Sequence, residues 1–343
     1  MTDLTIRGAG IFGLSIAWAC VQRGARVRLV DPNGLGAGSS GGIVGALAPH
    51  VPENWNPKKA FQLDSLLMAE NFWRDVEEIS GRKAGYARTG RFQPIADEHA
   101  LRLAQGRMEG AAALWGDHAR WQIVNGSTHD WMPDSPTGQL IHDTLSAHLH
   151  PRQACAALAG ALEKKGVTLE TDAPEHGPQL WATGVAGLLE LSETHTRSMG
   201  AGVKGQAALL AHDARGRPQI FAQGVHIIPH LDGTVAIGST SERLYDDPAQ
   251  TDAALDDVIA TARAAVPALA DAPVILRWAG VRPRSRSRAP MLGHWPDRPD
   301  HYIANGGFKI GFGMAPKVAS VMADLILEGK DTIPEGFRVT DNL

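Results

Sequence analysis

Cysteine is nearly missing: Cys20 and Cys155 are the only two in 343 residues. With no partner motif they make neither a disulfide framework nor a thiolate metal site, and buried thiols in a reducing compartment are the expectation. An excess of positive charge is missing as well. Lys and Arg number 33 against 37 Asp and Glu, a formal net charge of −4, so the overall field draws the chain to neither nucleic acid nor an anionic membrane. No apolar run approaches the ~20 residues that span a bilayer. The first apolar segment follows the N-terminus without a basic region or cleavage site, so a cytoplasmic protein is expected. There is no internal repeat and no low-complexity tract.

What the chain does have begins at residue 4. Leu4 to Arg7 is a short extended run, Gly8, Gly10 and Gly13 fall on G-x-G-x-x-G, Ile11 to Arg23 is apolar enough for a buried helix, and Ala25 to Val30 is a second strand closed by Asp31. In this order the first glycine makes a tight turn, the second lets backbone N–H groups approach a pyrophosphate, and the third lets helix and strand pack. The helix N-terminus offers partial positive charge to the phosphates, and Asp31 stands where an acid accepts a ribose hydroxyl. The stretch from Pro32 to His50 is rich in glycine and serine yet apolar at its end, which suits close approach of backbone and hydroxyl donors to a ligand.

Further on, periodicity predicts helices over 58–80, from Asp97 through Trp115, over 151–165 and from 251 to about 265, with strands over 86–95, 167–170 and 179–182. Residues 201–211, 218–228 and 234–238 read as consecutive strands of an antiparallel sheet. Tyr302 to Ala304 is a strand, Asn305 to Gly313 a glycine-rich loop, and Pro316 falls in the first turn of a closing helix that starts near Met314. The fold class is therefore α/β, or α+β overall: a Rossmann-type nucleotide-binding domain of residues 1–80, 140–200 and 280–343, with an inserted antiparallel-sheet substrate domain of residues 81–139 and 201–279.

The order of these motifs resembles the glycine oxidase and D-amino-acid oxidase family of FAD-dependent amine oxidoreductases. Gly8, Gly10 and Gly13 with Asp31 resemble its FAD-AMP site, Ser39-Ser40 through Gly45-Ala46-Leu47 its second FAD loop, and Gly280-Val281-Arg282-Pro283 and Gly307-Phe308-Lys309 its substrate and flavin loops. The resemblance implies noncovalent FAD, held by Gly8, Gly10, Ile11, Phe12, Gly13, Asp31, Pro32, Ser39, Ser40, Val44, Gly45, Ala46, Leu47, Gly184, Gly307, Phe308, Lys309, Ile310, Gly311 and Gly313. It also implies that Arg282 pairs with a substrate carboxylate, as a planar guanidinium can do bidentately, and that Lys309, standing where relatives carry an arginine, adds a point charge. The implied reaction is dehydrogenation of the C–N bond of a small amino acid or N-substituted amino acid to an imine, hydrolysed to an oxo acid, with oxygen as the expected electron acceptor and a quinone or another carrier as the alternative. The alternatives are a flavin enzyme acting on a modified tRNA base and an FAD-binding protein without amine chemistry.

Arg282, Arg284, Arg286 and Arg288 alternate with Pro and Ser, which in an extended strand places all four on one face. Arg282 is taken as the functional member and the others as solvated or phosphate-facing. The spacing of His50, His226 and His230 is not a metal motif; these read as satisfied structural histidines, and no metal site is expected. Tyr245 is either a residue over the substrate pocket or an exposed loop tyrosine.

Overall fold

The computed structural model describes residues 3–126 and 129–343; residues 1, 2, 127 and 128, which fall in the expected ranges 1–80 and 81–139, lie outside the described residues. The strands are β1 (Leu4–Arg7), β2 (Val27–Val30), β3 (Ala46–Leu47), β4 (Arg91–Pro94), β5 (Trp121–Asn125), β6 (Gln139–Asp143), β7 (Ala147–His148), β8 (Leu169–Glu170), β9 (Gln179–Trp181), β10 (Gly200–Leu210), β11 (Gln219–Ala222), β12 (Val225–Pro229), β13 (Val235–Gly238), β14 (Val274–Ser285), β15 (Met291–His294) and β16 (His301–Asn305). The helices are α1 (Ile11–Gln22), α2 (Pro57–Ser80), α3 (Glu98–Trp115), α4 (Pro151–Lys164), α5 (Gly184–Glu193), α6 (Ala253–Ala265) and α7 (Gly311–Glu328).

One sheet has the order β15-β16-β9-β1-β2-β8, parallel except for the edge strand β15. Parallel strands are covered on both faces by crossover helices, so α1 is apolar nearly all round and buried from Ile11 to Trp18. It packs against α4 and α7, and α2 packs against the same pair. The helix ends are built locally: the Asn56 side chain accepts from Lys59 N ahead of Pro57, Gly81 closes α2 at φ +70°, and Asp97 and Asp252 cap α3 and α6.

The second sheet has eight strands in the order β14-β10-β13-β12-β11-β4-β6-β5. α6 lays Leu255, Val258, Ile259 and Ala262 on one of its faces, while Ala207, Leu209, Ile228 and Ala236 on the other meet Ile43. The expected cuts at 139/140 and 279/280 pass through β6 and β14, both strands of this sheet.

Four local expectations are corrected. The single strand over 218–228 is a hairpin, because Gln223 and Gly224 both take positive φ and turn the chain between Ala222 and Val225. The strand over 86–95 shrinks to β4 and one bridge at Ala87, interrupted by Gly90 at φ +80°. The sheet is antiparallel except where β11 runs parallel to β4. The closing helix starts at Gly311, three residues ahead of Met314, which leaves Pro316 in its second turn. No described helix is long and apolar enough to cross a membrane. Cys20 and Cys155 are buried free thiols, both pushed up to about 12 by burial.

Candidate active site

Three parallel neighbours, β16, β9 and β1, each lead within a few residues into a helix, and α7, α5 and α1 all begin at the same edge of the sheet. A cavity of 710 Å³ opens there, between this edge and β14 of the larger sheet. That is the usual ligand position in an open α/β sheet, outside the carboxyl ends of the strands, and the volume lies within the ~300–1,000 Å³ of cofactor sites. Helix starts bring unpaired N–H groups and partial positive charge, so the edge favours anionic groups of a ligand.

The turn after β1 is shaped by backbone sterics. Gly8 sits at φ +111°, and a Cβ on it would meet the carbonyl oxygen of Ala182 at 2.3 Å. Asp31, at the end of β2, accepts from Ala9 N at 2.8 Å and from Asn33 N at 2.9 Å, so it braces the turn while lining the cavity. Ser40 Oγ accepts from Ile11 N at 3.0 Å, which places a hydroxyl at the mouth of α1. On the next unit Asn305 Nδ2 donates to the Gly184 carbonyl at 2.8 Å and ties the start of α5 to the loop before α7. Phe308 N donates to the Pro283 carbonyl at 3.0 Å, which joins that loop to β14.

Of the residues expected at the cofactor, Gly8, Gly10, Ile11, Phe12, Asp31, Pro32, Ser39, Ser40, Val44, Gly45, Ala46, Gly184, Gly307, Phe308, Lys309 and Gly311 line this cavity. Gly13, Leu47, Ile310 and Gly313 are not brought to it. A Cβ on Gly13 would lie 1.8 Å from the Gly8 carbonyl oxygen, so this glycine admits the turn and not a ligand. Leu47 is fully buried in β3, Gly313 faces Leu66 and Leu47, and Ile310 packs on the core at the start of α7. Sequence reasoning missed Trp278, which shares a face of β14 with Gly280 and Arg282; a period of two through WAGVR carries that signal. It also missed Trp181 and Ser239, both of which line the cavity.

Arg282 is 9% exposed and projects from β14 over β10. A Cβ on Gly205 would lie 1.9 Å from its Nη2 and 2.1 Å from its Nη1, so the guanidinium occupies the space that any other side chain at 205 would fill. Nη2 donates to Ser239 Oγ at 2.6 Å and Nη1 to the Thr240 carbonyl at 3.3 Å. Among the described residues no carboxylate lies within ion-pair distance of it. Burial pulls its pKa down to about 10, with Glu242 pulling the other way, so it stays a cation at neutral pH. Lys309, exposed at the cavity, has its pKa lowered by partial burial and then by Arg282. Two cations that disfavour each other and face one space suit an anionic ligand.

The four arginines do not share one face. Arg282 and Arg284 belong to β14, but Arg286 and Arg288 lie beyond its end; Arg284 stacks over Phe308 at 5.8 Å, and Arg286 donates to the Leu343 carbonyl. Tyr245 does not line the cavity; its ring stands 6.0 Å from Lys204 Nζ. His50 is satisfied by Gln62, as expected. His226 and His230 are not: His226 Nδ1 and His230 Nε2 are buried without a hydrogen-bond partner.

A glycine turn that leaves room for phosphates, a hydroxyl at the start of α1, an acid at the end of β2 and a long cavity between two sheets fit a dinucleotide with a flat ring system. The model of the "FAD dependent oxidoreductase" family matches residues 3–325. The bifunctional protein ThiO/ThiG of Nostoc sp. is 25% identical over 96% of this chain and 53% of its own length, so the chain spans about half of the first curated relatives it matches. The glycine oxidase of Geobacillus kaustophilus is 23% identical over 96% of this chain and 94% of its own. The crystal structure of iminodiacetate oxidase from Chelativorans sp. BNC1 superposes with a TM-score of 0.85, at 21% identity and 98% coverage of each chain, a likeness of fold. From the start of β1 to the body of α7, this chain belongs to the family of FAD-dependent oxidoreductases.

Proposed function

We propose that the chain dehydrogenates the C–N bond of a small amino acid or N-substituted amino acid to an imine, which water hydrolyses to an oxo acid, with oxygen taking the electrons in the cytoplasm. The observation that carries this reading is Arg282: a buried guanidinium without an acidic partner among the described residues, opening into the cavity that holds the nucleotide turn. A carboxylate accepts a planar fork of two N–H groups there, which fixes the rest of the amino acid relative to the cavity. Trp278 walls the same space. Lys309 adds a second cation.

Bound FAD supplies the two-electron acceptor for this chemistry. The Gly8–Phe12 turn and Ser40 would hold its pyrophosphate, Asp31 its ribose, and the loop from Gly307 to Gly311 its ring system. The α7 N-terminus would add positive partial charge to that end of the cavity, which favours an electron-rich reduced cofactor. The relatives that align along this chain include a glycine oxidase, in keeping with an amino acid substrate. Action on a modified tRNA base is not favoured, because the arginines that suggested it are dispersed, with only Arg282 and Arg284 on β14.

The test is anaerobic flavin reduction by a substrate panel: glycine, sarcosine, D-amino acids, D-proline, and the matching amines that lack the carboxylate. Bleaching of the flavin by the acids alone is expected. Equal reduction by the decarboxylated amines would overturn the carboxylate anchor.

A further inference from the structure

A second cluster lies outside the flavin cavity, where the smaller sheet's helices meet the tip of the β12–β13 hairpin. His150 is the residue before α4, His230 follows β12, and Asp232 stands at the turn. One ring nitrogen from each histidine and one carboxylate oxygen lie within 4.8 Å of one another. The two rings are 4.5 Å apart between centroids.

We propose that His150, His230 and Asp232 form a site for a divalent transition cation of the zinc type.

Three observations carry it. His230 is fully buried, and its Nε2 has no hydrogen-bond partner. Its other nitrogen, Nδ1, is engaged by Thr234 Oγ1 at 3.2 Å, the kind of outer contact that fixes the tautomer and aim of a metal-binding imidazole. Asp232 is oriented too: its Oδ1 accepts from Thr234, its Oδ2 accepts from Gln153 Nε2 at 2.9 Å, and that Oδ2 lies 4.0 Å from His150 Nε2. This spacing is too long for a hydrogen bond and suits an ion between the two groups.

Two imidazoles and one carboxylate are a zinc donor set, with bonds of about 2.0–2.2 Å that place ligand atoms roughly 3.3 Å apart. Closing from the present separations needs a rotation of the exposed Asp232 side chain, whose open side leaves a fourth position to water. The cation would join α4, which packs on α1 and α2, to a hairpin of the eight-stranded sheet. It would therefore brace the two sheets against each other next to Pro151, which lines the flavin cavity.

The experiment uses FAD-loaded enzyme, freed of any affinity tag and stripped with a chelator, then equilibrated with zinc chloride and desalted. On the order of one zinc per chain is expected by elemental analysis. A rise in melting temperature with zinc concentration should accompany it, as binding to the folded state alone requires. Asp232→Asn and His150→Gln should each abolish the stoichiometric zinc while leaving flavin content unchanged. A crystal of the wild-type enzyme measured at the zinc absorption edge should place the anomalous peak among the three side chains. Absence of bound zinc in the wild type, full binding by either variant, or an anomalous peak elsewhere would overturn the site.

Discussion

A single methyl group added at Gly205 tests the placement of the carboxylate anchor without substituting any residue that lines the cavity. The Cβ of Gly205→Ala would lie 1.9, 2.1 and 2.2 Å from the Nη2, Nη1 and Cζ of Arg282. Ordinary non-bonded contact is ~3.5 Å, so the guanidinium must retreat by roughly 1.5 Å. Gly205 pairs with Gly280 inside the long β10–β14 ladder, and its backbone is outside the left-handed region, so the strand accepts alanine and the flexible end of the arginine moves instead. Its bonds to Ser239 Oγ and the Thr240 carbonyl go with it. A misplacement of about 1 Å costs on the order of a hundredfold, equivalent to about 2.7 kcal/mol of transition-state stabilisation. We expect kcat/KM for the best acid of the substrate panel to fall by about that factor in anaerobic stopped-flow reduction. Flavin content should stay at the wild-type value. The double variant with Arg282→Lys should lose little more than either single change, since both act through one group. If Gly205→Ala keeps its flavin and its kcat/KM, the reasoning from the position of Arg282 is refuted.

Three further outcomes follow from the same geometry. Arg282→Lys keeps a charge but loses the fork; charged hydrogen bonds are worth about 1.5–3 kcal/mol, so kcat/KM should drop tenfold or more with FAD content unchanged, as steady-state kinetics and absorbance will show. Gly10→Val points a side chain toward Ser40 Oγ, which a Cβ would already meet at 3.1 Å, and should abolish FAD retention on gel filtration while circular dichroism stays that of a folded chain. Burial, helped by Arg91, Lys309 and Arg282, holds His226 down to about 3, below its unfolded value near 6.5. Its contribution to stability is complete above that unfolded value and is lost as pH falls toward 3; between pH 7 and 5 the loss is about 2 kcal/mol, so urea unfolding of His226→Gln should weaken less over that interval by this amount.

The nucleotide half of the molecule is readable because its parts are contiguous. Gly8, Gly10 and Asp31 act through the turn they build, and their spacing survives any change elsewhere in the chain. The same motif does not tell a glycine that admits a ligand from one that admits backbone: Gly13 looks like a cofactor residue in sequence, yet a Cβ on it would lie 1.8 Å from the Gly8 carbonyl oxygen. The hairpin at Gln223-Gly224 escaped notice because its turn lacks the Asn-Gly or Asp-Gly pair that marks such loops most strongly. His150 and Asp232 carry no sequence signal as partners, since a turn of one sheet and a helix start of the other bring them together.

The substrate half is written in register. Val203 opposes Arg282 and Gly205 opposes Gly280, so the space for the guanidinium exists only after β10 and β14 have paired in this alignment. No local pattern within 200–210 announces it; a glycine in a strand reads as a weakness until the neighbour that leans over it is known. Cofactor and reaction class therefore follow from short motifs at strand ends, whereas substrate choice depends on which side chains of the larger sheet face the cavity across that ladder. Ala207 and Trp278, paired across the same ladder and both lining the cavity, occupy such positions. A change of volume at Ala207 should shift the preference among amino acids without disturbing FAD, because the strand that carries it makes no part of the turns at the start of α1, α5 or α7. Comparing the substrate panel for Ala207→Val with wild type separates the two halves: an altered order of substrates at constant flavin content is expected, and loss of flavin with an unchanged order would show that the halves are not independent.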